Sequence, residues 1–119
     1  MRETENAGTE PFGLKPEALE RIRQVFRRHP EVHEVRIFGP RAVGCFEDRS
    51  DVNLALWGDL DDALLERIMG ELDELPLPYI FDIEAYESIH HESLKRHINE
   101  FGRILYAAIH HQDSRDSMT

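Results

Sequence analysis

The sequence predicts a small mixed α/β (α+β) domain, a sheet of at least three strands with helices mainly on one face. Three observations carry this. Apolar residues recur at three- and four-residue steps in some stretches and at every second residue in others, and the two patterns interleave as helix, strand, strand, helix, strand, helix. The chain has 119 residues, 40% of them apolar, enough for one core and too short for separate cofactor and substrate domains.

Residues 1–13 are polar without an apolar period and are expected to form a flexible N-terminal tail; 110–119 form its C-terminal counterpart, leaving 14–109 as the domain. Pro16 suits a first helical turn, Leu19, Ile22, Val25 and Phe26 make an amphipathic stripe, and Pro30 ends it. Val32–Phe38 alternates as a strand and stops at Gly39-Pro40. Gly39 to Gly44 leaves that strand and opens a short helix, where backbone N–H groups and the side chain of Arg41 could face an anion.

Val52, Leu54 and Leu56 alternate with Asn53, Ala55 and Trp57, which makes a second strand with Asp51 and Asn53 on one face. Asp59 is the expected cap of a helix whose Leu60, Leu64, Ile68 and Leu72 fall at four-residue steps. Beyond Pro76 and Pro78, Tyr79–Ala85 reads as a third strand, with Asp82 and Glu84 on the face opposite Phe81, Ile83 and Ala85. Leu94, Ile98, Phe101 and Leu105 mark a last helix that Gly102 weakens or interrupts.

Strand interiors favour apolar and β-branched side chains, so Asp51, Asn53 and Asp82 in or at the start of two strands stand out. Carboxylate oxygens suit Mg²⁺, which is commonly shared between one or two carboxylates and substrate phosphates. The remaining features have plainer readings: Trp57, Phe81 and Tyr106 as core or rim aromatics, His90, His91 and His97 as solvated surface, Cys45 as packing, and the acidic residues between Asp59 and Glu74 as a solvated helix face suited to a basic partner. A net charge of -10 argues against coating nucleic acid, and the single cysteine excludes an internal disulfide and fits the cytoplasm. No apolar run approaches the ~20 residues of a membrane-spanning helix.

These residues resemble the minimal nucleotidyltransferases (MNT) of the DNA polymerase β superfamily, known as the antitoxin half of HEPN/MNT toxin–antitoxin pairs. The family pattern is Gly-Ser, ten residues, Asp-x-Asp; here Gly39-Pro40, ten residues, then Asp51-Val52-Asn53 keeps the spacing. Ser50 to Leu56 is similar to the family's Ser-Asp-Ile-Asp-Leu-Ala-Leu strand, Leu75 to Tyr79 followed by Asp82 to its third-carboxylate segment, and Ile98 to Tyr106 to its C-terminal stretch. The resemblance implies a polymerase β-like nucleotidyltransferase fold and Mg²⁺-dependent transfer of AMP from ATP to a HEPN-type toxin. It implies Asp51, Asn53 and Asp82 as the metal set, Asp51 and Asp82 as catalytic, and Gly39, Pro40, Arg41, Gly44 and Ser50 as the nucleotide contacts.

The chain departs from that pattern at three positions. Asn53 replaces the second carboxylate, Pro40 replaces the serine and brings no N–H, and Val43 stands where a second basic residue is common. Each change is expected to weaken metal or nucleotide binding. The alternative expectation is therefore a degenerate member that serves as a noncatalytic partner-binding or nucleotide-sensing subunit.

Overall fold

The structure, a computed structural model, describes residues 11–44 and 51–108. The first helix, α1 (Pro16–Arg27), begins on its proline and buries Ala18, Leu19, Ile22, Val25 and Phe26. It leads into β1 (Val32–Phe38), which covers the expected strand. A single helical turn, α2 (Pro40–Val43), follows at once. It is closed by Gly44, whose φ of 82° is left-handed and whose N–H bonds the Pro40 carbonyl.

Strand β2 (Val52–Gly58) runs back along β1, helix α3 (Asp62–Asp73) crosses over, and β3 (Phe81–Ala85) lies parallel to β2. The cap of α3 is Asp61 and not Asp59: the Asp61 carboxylate accepts the Leu64 N–H at 2.8 Å. Asp59 lies two residues before that cap, and its backbone N–H instead holds the Glu31 carbonyl at 3.0 Å. Tyr79 and Ile80, expected in the third strand, lie before it: β3 starts at Phe81, although the Ile80 carbonyl takes the Val52 N–H at 2.9 Å.

The last expected helix divides in two. Helix α4 (Glu92–Phe101) ends at Gly102, and β4 (Arg103–Ala107) pairs antiparallel with β1. Leu105, expected on the helix, is a strand residue with 2% of its surface exposed. Gly102 makes the change of direction possible: its N–H caps the Ile98 carbonyl at 2.8 Å, and a Cβ there would lie 2.4 Å from the same oxygen. The sheet order is β3-β2-β1-β4.

Helices α1 and α3 share one face of the sheet, where Ile22, Val25, Phe26, Ile68 and Leu72 meet Val35, Ile37, Leu54, Leu56 and Leu105. Burial of this set, at roughly 1.5–3 kcal/mol for each large apolar side chain, is the main driving term of the fold. Helix α4 packs on the opposite face, with Ile98 and Ile89 against Phe38 and Ala55 and with Trp57, Tyr86 and Leu94 at the rim. That face is thus the one bearing Asn53. Pro11–Gly13, within the expected tail, form a short turn whose Phe12 packs against the core. The remaining tail residues, 1–10 and 110–119, and the last residue of the expected domain, 109, lie outside the described residues.

Candidate functional site

The end of β1, the start of β2 and the start of β3 coincide, because β1 is antiparallel to β2 and β2 is parallel to β3. Phe38 pairs with Asn53, and Asn53 pairs in turn with Asp82. Asn53 and Asp82 are therefore lateral neighbours, and strand alternation puts both on the α4 face. Asp51 immediately precedes β2 and is exposed, as is Asp82, while Asn53 is half-buried. Glu84 lies one alternation further along β3, opposite Ala55.

Gly39 lies against this row. Its φ of 83° and ψ of −158° suit glycine alone, and an added Cβ would come within 2.7 Å of Asn53 Nδ2. Its N–H, past the last β1–β2 pair, donates to His97 Nε2 of α4 at 3.1 Å. The His97 ring lies between Phe38, edge-on with centroids 6.3 Å apart, and Phe101 at 5.3 Å. Pro40 and Gly44 are exposed.

Arg41 is turned inward. Only 2% of it is exposed; its Nη1 donates to the Phe12 carbonyl at 2.8 Å, and its guanidinium lies 5.1 Å from the Tyr79 ring centre. A residue read from sequence as a phosphate contact thus ties the N-terminal turn to the segment before β3. Ser50 and Cys45 lie outside the described residues. His97 was legible only as a surface histidine; the one hint of another role is its place beside the Leu94–Ile98 stripe.

For a hard cation the row offers the carboxylates of Asp51 and Asp82 and the amide carbonyl of Asn53. Among the described residues, no three His, Cys, Asp or Glu side chains gather as a metal site. The oxygen-only chemistry of the row fits Mg²⁺, with one negative charge fewer than three carboxylates would supply.

A family model described as polymerase beta, nucleotidyltransferase matches residues 20–110, which includes every strand and the whole candidate row. The chain belongs to the polymerase beta nucleotidyltransferase family. Solved structures agree with this fold. A toxin–antitoxin complex with AMP-PNP aligns at 18% identity with a TM-score of 0.63, over 80% of this chain and 77% of its own. The complex of tri-AMPylated Shewanella oneidensis HEPN toxin with MNT antitoxin aligns at 17% identity with a TM-score of 0.60, over 84% and 76%. A Sulfolobus solfataricus protein described as a nucleotidyltransferase aligns at 15% identity and 0.52, over 90% and 89%. At these identities the likeness is one of fold, and it agrees with the resemblance to the minimal nucleotidyltransferases. A search of curated proteins finds no match. Among the described residues, no helix is long and apolar enough to cross a membrane.

Proposed function

We propose that this nucleotidyltransferase transfers AMP from ATP to a helical HEPN-type protein partner and so acts as its antitoxin in the cytoplasm. The observation that carries the reading is the side-by-side register of Asn53 and Asp82, with Asp51 two residues before Asn53 and Gly39 against it. In this reading an acceptor hydroxyl oxygen attacks the α-phosphorus of ATP, the bond to the β-phosphate oxygen breaks, pyrophosphate leaves, and the acceptor proton passes to Asp82. Asp51, Asp82 and the Asn53 carbonyl would hold Mg²⁺, whose chemistry is to neutralise charge on the phosphates. One structural neighbour, a tri-AMPylated HEPN toxin in complex with an MNT antitoxin, supports the partner class.

A second reading, a noncatalytic partner-binding or nucleotide-sensing subunit, draws on a specific feature. Pro40 has no N–H, the Gly39 N–H is already held by His97, and Asn53 brings an amide for a carboxylate. One experiment separates the two: incubation of the chain with Mg²⁺-ATP and a co-purified small helical partner, read by intact mass. Addition of AMP to the partner supports transfer. A stable complex whose partner mass stays unchanged, beside a working nucleotidyltransferase control, supports the second reading.

A further inference from the structure

Gly39 is the hinge on which the site's loop leaves the sheet. Phe38 makes the last register pair with β2 and Ile37 the last with β4, so the Gly39 N–H has no ladder partner and requires an acceptor from elsewhere. The acceptor comes from 58 residues further along the chain, His97 Nε2, in a ring bracketed by Phe38 and Phe101. Nε2 can accept only if the ring is neutral with its proton on Nδ1. The same glycine presents its other side to Asn53, close enough that a Cβ would lie 2.7 Å from Nδ2. Rotating the Phe38–Gly39 peptide would therefore move the surface against which the Asn53 amide rests.

We propose that His97 is a positioning residue of this site: its neutral imidazole fixes the Gly39 peptide, and through Gly39 it sets the Asn53 amide beside Asp82. Helix α4 then has a role beyond covering the sheet face, since it holds the loop at its working angle. The consequence for ligand binding rests on the nucleotide-site reading; the bond and its role in fixing the loop do not.

The test compares the full-length wild-type chain with His97→Phe, which keeps a ring between Phe38 and Phe101 but has no acceptor, and with His97→Gln, whose Oε1 can accept in place of Nε2. Amide exchange at Gly39 is followed by NMR, and Mg²⁺-ATP affinity by calorimetry. The expected result is that His97→Phe exchanges Gly39 about tenfold faster and binds Mg²⁺-ATP about fivefold more weakly, the scale of one neutral hydrogen bond, and that His97→Gln restores both. Equal Gly39 exchange in all three proteins overturns the proposal. So does equal affinity in wild type and His97→Phe. Absence of binding in every protein, a Pro40→Ser, Asn53→Asp double variant included, overturns the nucleotide reading itself, an outcome distinct from binding that ignores position 97.

Discussion

Asn53 and Asp82 are lateral neighbours in adjacent strands, a place where two carboxylates repel unless a cation lies between them. Replacing Asn53 by Asp should destabilise the chain by about 0.2–1 kcal/mol when divalent ions are chelated and should make the melting temperature rise with added Mg²⁺. Calorimetry with and without Mg²⁺ checks this, and an Mg²⁺-independent transition in the variant would contradict the shared-ion geometry. Gly58 is a separate test of backbone packing. With φ at 148°, a Cβ there would be 2.0 Å from the Glu31 carbonyl oxygen, so Gly58→Ala must shift the backbone at the β1–β2 end. A loss on the order of 2–4 kcal/mol in urea unfolding is the expected outcome. At this scale the sequence singled out Asp51, Asn53 and Asp82 as polar residues in or beside strands and Gly39 as the turn at their motif spacing, with their roles supplied by the family resemblance, but it could not show which way Arg41 points. A guanidinium that is 2% exposed and one in solvent have the same sequence neighbours, and only the Phe12 carbonyl and Tyr79 ring, distant in the chain, decide between them.

Between elements, α1 and α3 are joined by a charged contact above their apolar seam. The nearly buried His29 at the end of α1 donates from Nε2 to Glu71 of α3 at 2.9 Å, and Arg28 reaches the same oxygen at 3.3 Å. The His29 hydrogen bond, together with attraction to His29 and Arg28, holds the Glu71 carboxyl below its ordinary 4.5 despite the opposing effect of burial. The folded state thus favours ionised Glu71. Its stabilisation is present above the ordinary carboxylate range and is lost as pH falls below 4.5 and through the lowered folded value. Glu71→Gln should flatten the acid limb of a stability–pH curve measured by denaturant titration, while the curve above that range keeps its shape. Most elements were legible because their periods differ so clearly. The exception is β4: Leu94, Ile98, Phe101 and Leu105 keep one helical spacing across the boundary, and only Gly102 interrupts it. The close approach of Gly102 to the Ile98 carbonyl and the open edge of β1 are tertiary facts, and they decide in favour of a strand.

Across the whole molecule, the large apolar side chains most open to solvent among the described residues are Val43, Ile80, Phe101 and Ile104. All four belong to segments at the end of the sheet where β1 finishes and β2, β3 and β4 begin. The candidate row shares that end. Sheet order has a further consequence, for motion. Asn53 belongs to an inner strand with neighbours on both sides, whereas Asp82 belongs to an edge strand bonded on one side only. Native-state hydrogen–deuterium exchange should therefore show β1 and β2 opening only with global unfolding and β3 opening at lower free energy, as edges do. Uniform protection across the three strands would contradict this. If β3 breathes first, the two halves of the acidic row answer to different clocks, and the spacing between Asn53 and Asp82 becomes a fluctuating quantity that a bound cation or partner would narrow.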